Sequence, residues 1–161
     1  MIREALNSDA QTISEIYNYY ILHTSITFET ETITPEDIVS RMENYRQVGP
    51  YLVYEENQEV IGYAYVSRFR ERKAYENSIE STIYLKNGLG GKGSGYKLYS
   101  ELLSRVSHKY HAIIGGIALP NDASVRLHEK CGFKKVAHFS EVGRKFEKWI
   151  DVGFWQKSGD V

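Results

Sequence analysis

The chain has 161 residues, of which 42% are hydrophobic and 25% are charged, so it is long enough to bury the core of one domain over residues 1–161 but not of two. Its 20 basic and 21 acidic residues nearly cancel to a net charge of −1, which argues against a nucleic acid or an anionic membrane as partner. It has one cysteine, no apolar run near the roughly 18 residues of a membrane span, and strand-like residues directly after Met1, so we expect no internal disulfide, no signal peptide and a cytoplasmic location.

The N-terminal third predicts one strand followed by two helices. Residues 2–6 have strand character, and either Ser8 or Asp9 is expected to cap a first helix that carries its apolar residues on one face. Thr34 followed by Pro35 is typical of the start of a second helix, because proline is favoured in the first turn. Two helices are therefore expected before the main run of strands.

Three strands are predicted next. Residues 51–54 and 60–66 flank a turn at 56–58 and indicate a hairpin, and residues 79–85 alternate in the manner of another strand. That strand leads into a glycine loop at residues 88–95, in which five of the eight residues are glycine, and then into a helix-like segment. Such a loop lets the backbone approach a ligand closely while the first helical N–H groups stay unpaired, so the sequence predicts a phosphate site here.

Other interpretations of the glycine loop fit less well. A P-loop requires Ser or Thr after its lysine, whereas Lys92 is followed by Gly93. A dinucleotide fold places its glycine loop after the first strand, whereas this loop lies in the middle of the chain. A flexible surface loop without a ligand is the remaining alternative.

The C-terminal part completes an alternating pattern. Residues 96–103 predict a helix, 112–118 a strand, 121–130 a short helix, and 133–139 and 149–155 two closing strands. The predicted order is β-αα-βββ-α-β-α-ββ, an α/β fold with a mixed sheet.

This order, with the glycine loop between the fourth strand and the third helix, resembles the GNAT superfamily of acetyl-CoA-dependent N-acetyltransferases. Four segments narrow the resemblance to the phosphinothricin and methionine sulfone/sulfoximine N-acetyltransferases: Ala74-Tyr75, Glu80-Ser81-Thr82-Ile83-Tyr84-Leu85, Leu119-Pro120-Asn121-Asp122-Ala123-Ser124-Val125-Arg126-Leu127-His128-Glu129 and Trp149-Ile150-Asp151-Val152-Gly153-Phe154-Trp155-Gln156. The resemblance covers nearly the whole chain. It implies a mostly antiparallel sheet flanked by helices, acetyl-CoA as co-substrate, direct transfer to the α-amino group of a small amino acid, and a homodimer.

The resemblance also implies a cofactor site. Its residues would be Ile83, Tyr84 and Leu85 through their backbone, the loop residues Gly90, Gly91, Lys92, Gly93, Ser94 and Gly95, and Asn121, Ser124 and Lys130. Asn121 and Ser124 have an alternative interpretation as the cap of the helix that starts there. Gly90 departs from the superfamily pattern, which has Gln or Arg at that position, so we expect weaker cofactor affinity.

Two residues are candidates for acid and base catalysis. Strand alternation places Glu80 on the face opposite Ile79 and Ser81, and the resemblance makes it the general base; the alternative is a solvent-facing glutamate paired with a lysine. The resemblance places His128 where many GNAT members have a tyrosine that protonates the leaving thiolate. His128 is therefore expected to act as that acid or as a second base, and the alternative is a histidine that only packs or caps its helix.

The resemblance places the acceptor near the basic loop before Glu80. The candidate substrate-binding residues are Phe28, Arg72, Lys73 and Tyr75, with Lys145 and Trp149 as weaker candidates. An arginine fork suits a carboxylate, phosphinate or sulfone oxygen, although the loop has an alternative interpretation as a solvated segment and Phe28 as a core residue.

Two rival functions remain at this point. One is a GNAT enzyme that acetylates a polyamine, an aminoglycoside or a protein terminus, and the basic segment 68–73 argues against it. The other is a non-catalytic acyl-CoA sensor, against which Glu80 and His128 argue together. Cys131 is expected to be a buried structural thiol, and the histidine spacing predicts no metal site.

Overall fold

The computed structural model describes residues 1–161 and has seven strands and four helices. Their bounds are β1 Ile2–Glu4, α1 Ala10–His23, α2 Pro35–Arg46, β2 Tyr51–Glu56, β3 Glu59–Arg68, β4 Ser78–Leu85, α3 Ser94–Val106, β5 Ala112–Leu119, α4 Asp122–Lys130, β6 Lys134–Lys145 and β7 Lys148–Ser158. The predicted element order is confirmed. The two closing strands are longer than predicted, because they pair with each other as a ribbon that extends beyond the rest of the sheet.

The strands form one sheet in the order β1-β2-β3-β4-β5-β7-β6, in which only β4 and β5 are parallel. Helix α3 makes the crossover that a parallel pair requires. The β4–β5 ladder ends at the pair Glu80 and Ile114, whereas both strands continue to Leu85 and Leu119. Beyond this point the strands diverge and leave a gap in the sheet, called here the β4–β5 wedge, whose edges carry backbone groups without a strand partner.

The local sequence signals explain most element boundaries. Thr34 and Asp37 form a capping box at the start of α2, and Pro35 occupies its first position, as predicted. The turn of the β2–β3 hairpin has positive φ at Asn57 and Gln58, as a two-residue hairpin turn requires. These contacts connect neighbours in sequence, so the sequence alone reveals them.

The expectation that the side chain of Ser8 or Asp9 caps α1 is wrong. Asp9 is the N-cap residue by position, but its carboxylate accepts the N–H of Leu6 at 2.7 Å and pairs with Arg3 at 2.8 Å. Ser8 lies in a short 3₁₀ turn before the helix. The guanidinium of Arg3, which comes from β1, outcompetes the helix amides for the Asp9 carboxylate because charge-assisted bonds are stronger.

Two cores lie on opposite faces of the sheet. Ile79 is buried in the core beneath α3 and α4, and Ser81 reaches the same face to bond with Tyr99. The second core lies under α1 and α2 and is rich in tyrosine, and Tyr84 packs against it. Alternation along β4 therefore places Glu80, Thr82 and Tyr84 on the α1/α2 face. No helix is both long and apolar enough to cross a membrane.

Candidate active site

Two consecutive glycines of β5 mark the apex of the β4–β5 wedge. Gly115 faces His128 of α4 so closely that an added Cβ would lie 2.5 Å from its Nε2. Gly116 faces the other side, where an added Cβ would lie 3.4 Å from Glu80 Oε1. The structure therefore brings the two predicted catalytic residues to neighbouring positions from opposite faces of the sheet, at the residues that follow the last β4–β5 pair.

Glu80 has the electrostatics of a poised carboxylate. It is half-buried, and no residue of the chain hydrogen-bonds to its side chain. Burial raises the pKa of Glu80, and the nearby charge of Arg70 opposes that increase. A surface glutamate paired with a lysine is therefore not what the structure shows, and the carboxylate is free to accept a proton.

His128 is buried, with 5% of its surface exposed. Its Nδ1 lies 2.8 Å from the carbonyl oxygen of Ser124, which only accepts, so Nδ1 carries the hydrogen and Nε2 keeps its lone pair. The ring meets Tyr99 and Phe133 edge-on at centroid distances of 5.0 and 5.2 Å. Burial lowers the pKa of His128, so the imidazole is neutral near pH 7. Of its two expected roles, this favours the second base over the acid.

The free edge of β4 offers backbone donors to the wedge. The N–H of Lys86 bonds to the carbonyl of Ile61 at 2.8 Å, so alternation turns the N–H groups of Ile83 and Leu85 away from β3. The carbonyl of Leu85 accepts the Tyr20 hydroxyl at 2.5 Å, so the N–H of Leu85 is the backbone group that remains available to a ligand.

Tyr84 behaves differently from its two neighbours. It is directly paired with Tyr63 of β3, and the same alternation turns its backbone towards that strand. Its ring packs against Tyr17 and Tyr20 at centroid distances of 5.2 and 5.1 Å. The expectation that its backbone lines the cofactor edge is therefore corrected: only every second residue of a strand presents its N–H to a given side.

The glycine loop has the backbone that an anion cradle needs. Gly88, Gly91 and Gly93 have φ of +83°, +82° and +84°, and an added Cβ at any of them meets nothing within 4 Å. Gly93 is the N-cap of α3 and supplies no side-chain cap, so the first N–H groups of the helix stay available. The predicted loop thus has an open surface.

Helix α3 begins beside the end of β4. An added Cβ at Gly95 would lie 3.3 Å from Leu85 Cδ1, and Ser94 is buried, so the helix N-terminus adjoins the open end of the wedge. Lys130 of α4 places its Nζ 4.4 Å from the ring centroid of Tyr96 in the first turn of α3. Lys130 and the exposed Lys92 bring positive charge to the region predicted to bind phosphate.

The remaining cofactor candidates lie at the start of α4. The Asn121 side chain accepts the N–H of Ser124 at 3.3 Å, which confirms its capping interpretation. Ser124 Oγ lies 3.4 Å from His128 Nδ1, so this cap adjoins the buried histidine.

The candidate residues for binding the acceptor substrate lie in two separate places. Arg72, Lys73 and Tyr75 line a cavity of about 350 Å³ that also borders Ile79, on the face opposite Glu80. Phe28 lies apart from them, against Gly143 of β6. The structure therefore groups three of the four predicted substrate residues and separates the fourth.

Sequence reasoning missed several residues at this site. Arg70 lines the same cavity and is the cation that acts on Glu80, but the loop has three arginines and the sequence alone does not rank them. Gly115 and Gly116 carried a usable signal, because glycine inside an apolar strand often marks a close approach. Cys131 is half-buried rather than fully buried, and burial raises the pKa of its thiol, as befits an unreactive cysteine.

Comparisons with known proteins show which family the chain resembles. A family model described as an acetyltransferase (GNAT) domain matches residues 2–153. A phosphinothricin N-acetyltransferase of Streptomyces coelicolor is 38% identical over 161 residues, covering 97% of this chain and 94% of that protein. An L-methionine sulfoximine/L-methionine sulfone acetyltransferase of Salmonella typhimurium is 36% identical over 157 residues, covering 96% and 92%. A solved GNAT superfamily phosphinothricin acetyltransferase from Sinorhizobium meliloti, in complex with acetyl-CoA, superposes with a TM-score of 0.94 at 33% identity and covers 99% of this chain and 88% of that chain.

Proposed function

Since the chain belongs to the GNAT family of acetyltransferases and is an acetyl-CoA-dependent N-acetyltransferase, we propose that its acceptor is the α-amino group of a small amino acid with a strongly polar side-chain oxygen group. Phosphinothricin and methionine sulfone or sulfoximine are of this type, and related enzymes are named for them. The observation that carries the proposal is the unpartnered carboxylate of Glu80 at the apex of the wedge.

The donor side of the proposed site is mainly backbone. The pyrophosphate of acetyl-CoA lies on the N–H groups of the glycine loop and of the first turn of α3, with Lys130 nearby. The N–H groups of Ile83 and Leu85 hold the pantetheine arm and polarise the thioester carbonyl. The open loop and the unpaired strand edges fit this group, because both leave donors without a protein partner.

The reaction forms a bond between the acceptor nitrogen and the acetyl carbon and breaks the C–S bond of the thioester. The proton that the nitrogen loses on becoming an amide goes to the leaving sulfur, which departs as the CoA thiol. An ammonium group does not attack, so Glu80 takes its proton directly or through water. Neutral His128 offers Nε2 as a second proton acceptor near Gly115. Both groups thus favour the neutral amine from opposite sides of the wedge.

The acceptor end of the proposed site is cationic. Among the arginines of segment 68–73 only Arg68 forms an ion pair, so Arg70 and Arg72 each keep a free planar fork. Both line the cavity on the face opposite Glu80, and Arg70 also acts electrostatically on Glu80. The proposal therefore requires this loop to present one fork to a phosphinate, sulfone or carboxylate oxygen on the Glu80 side. A polyamine or an aminoglycoside is repelled by these charges, which disfavours the rival acceptors.

The proposed assembly is a homodimer that works in the cytoplasm. Five large apolar side chains of the β6–β7 ribbon are each more than half exposed: Val136, Phe139, Val142, Phe146 and Trp149. Exposed apolar side chains concentrated on one ribbon suit burial against a second copy of the chain. Light scattering on the wild type and on Trp149→Glu tests this point; a monomeric wild type contradicts it.

A panel of amines with acetyl-CoA, monitored by release of the free thiol, tests the acceptor. L-Phosphinothricin and methionine sulfone are expected to give a higher kcat/KM than putrescine or an aminoglycoside. Cells that express the protein are then expected to grow on phosphinothricin, whereas cells that express Glu80→Gln are not. Preference for putrescine would overturn the proposed acceptor and leave the family assignment intact.

A further inference from the structure

The segment between α1 and α2, residues 24–34, is held by polar contacts from three other elements. Thr27 in its middle is buried, and its Oγ1 lies 2.8 Å from the Tyr17 hydroxyl of α1. The carbonyl of Thr27 accepts Lys145 Nζ of β6 at 2.8 Å. Lys145 is one of the weaker candidates for substrate binding in the sequence analysis. It is buried, and its ammonium group donates to this loop.

Glu29 provides the second anchor of the segment. Arg41 of α2 grips its carboxylate with both arms of the guanidinium, at 2.9 and 2.5 Å. The Tyr17 hydroxyl also bonds to Glu29. The Arg41 pair holds the pKa of Glu29 below its usual value, so the carboxylate stays charged at neutral pH.

Phe28 stands between these two anchors. Its side chain is exposed, and its ring covers Gly143 of β6 so closely that a Cβ there would collide with it. The Tyr17 hydroxyl bonds to both Thr27 and Glu29. Its ring packs edge-on against the Tyr84 ring, with the centroids 5.2 Å apart. Tyr84 shares the face of β4 that carries Glu80, so the network fixes the loop relative to the catalytic strand.

We propose that Glu29 and Arg41 are positioning residues for acceptor recognition and that they act through Phe28. An exposed aromatic on an irregular loop loses conformational entropy when it is fixed against a ligand, and anchors on both flanks reduce that cost before the acceptor arrives. The inference rests on the proposed function and adds Phe28 to the acceptor side of that site. The loop of Phe28 contacts Tyr17, and Tyr17 packs on Tyr84 on the sheet face that carries Glu80, whereas the cavity of Arg72 lies on the opposite face.

Steady-state kinetics of Arg41→Met test the positioning role. The KM for the acceptor is expected to rise roughly threefold to tenfold, with kcat and the KM for acetyl-CoA little changed. Exchanging the charges in Glu29→Arg with Arg41→Glu should restore part of the loss. Arg105→Met is the matched control, since Arg105 pairs with Glu4 and Glu101 at a similar side-chain exposure, 37% against 33% for Arg41.

A double-mutant cycle separates positioning from general stability. If Arg41 acts through Phe28, the effects of Arg41→Met and Phe28→Ala on acceptor KM are less than additive. Full additivity, or an equal rise in the KM for acetyl-CoA, overturns the inference.

Hydrogen exchange of the free protein gives a readout independent of turnover. Residues 24–34 should exchange faster in Arg41→Met than in the wild type, with β4 unaffected, and unchanged exchange overturns the anchoring role. If the amino-acid analogues are not acetylated but another amine of the panel is, the acceptor proposal fails. The Arg41→Met and Phe28→Ala double-mutant cycle is then measured with that amine as acceptor, and its additivity tests the positioning role independently of the acceptor proposal.

Discussion

The proposed site has a donor half and an acceptor half, and the two differ in the groups that form them. In the proposal the donor half consists of backbone: the glycine loop, the first turn of α3, and the N–H groups of Ile83 and Leu85. In the proposal the acceptor half depends on charged side chains, namely Glu80 on β4 and Arg70 and Arg72 in the loop before β4. The donor half should therefore tolerate side-chain changes that keep φ and space, and the acceptor half should tolerate only changes that keep charge and shape.

Glu80→Gln tests the acceptor half most strongly. The amide keeps the shape but cannot take a proton, so kcat is expected to fall by about 10²–10⁴-fold. Acetyl-CoA affinity, measured by calorimetry, should stay near the wild-type value because the donor half is untouched. Activity should recover partly at high pH, where the acceptor amine is already neutral. Wild-type turnover at pH 7 would move the base to His128.

Arg72→Ala tests whether the acceptor's polar oxygen is held by a fork. Loss of a charge-assisted pair is expected to cost about 1.5–3 kcal/mol, or roughly 10- to 150-fold in kcat/KM for phosphinothricin. Arg72→Lys should recover little, since a point charge does not replace a bidentate fork. Because Arg72 faces a cavity beside Ile79, unchanged kinetics would assign the oxygen to another cation of the loop.

Gly93→Val and Gly90→Arg form a pair that tests the donor half. Gly93 has a φ of +84°, which a β-branched residue adopts only with strain, so acetyl-CoA affinity should fall at least about tenfold. Gly90 is not at positive φ, and a Cβ there meets nothing within 4 Å, so an arginine fits and should raise affinity. Calorimetry measures the acetyl-CoA affinity of both variants. An equal loss of affinity in both would mean that binding is sensitive to side-chain bulk in the loop rather than to its backbone geometry.

Arg70→Gln should move the pH profile. Arg70 lowers the pKa of Glu80 against the effect of burial, so its removal keeps Glu80 protonated to a higher pH. The acid limb of the kcat/KM profile is then expected to shift upward in pH. Arg68→Gln is the control, because Arg68 is exposed and pairs with Glu71 at 3.7 Å. A profile that shifts equally in both variants would indicate a general charge effect.

The smallest expected effect is the contribution of His128 to the pH dependence of stability. Burial lowers its folded-state pKa below the unfolded value near 6.5, so the unfolded chain binds the proton more tightly. Stability is therefore expected to fall as pH drops from about 6.5 through the folded pKa and then to level off. In His128→Phe this part of the pH dependence should disappear. Tm measured from pH 7.5 to 5 in both proteins is the test, and parallel curves would contradict it.

The sequence by itself determined the order of elements and most of the donor half. Hydrophobic periodicity, the Thr34-Pro35 helix start and the hairpin turn before β3 act between near neighbours, so their consequences are local. The glycine loop is local as well, because its anion-binding donors follow from its own φ angles and from the helix behind it. The resemblance to a known family then placed Glu80 and His128.

Only the tertiary structure decided how the acceptor half is arranged. It ended the β4–β5 ladder at Glu80, brought Gly115 and Gly116 against the two catalytic candidates, and chose Arg70 as the cation that acts on Glu80. It also paired the Asp9 carboxylate with Arg3, so that this carboxylate does not cap α1. These contacts connect different elements of the fold, and which charged side chains pair depends on burial and distance in three dimensions. A linear pattern does not contain those quantities, so the sequence named the candidates and the fold ranked them.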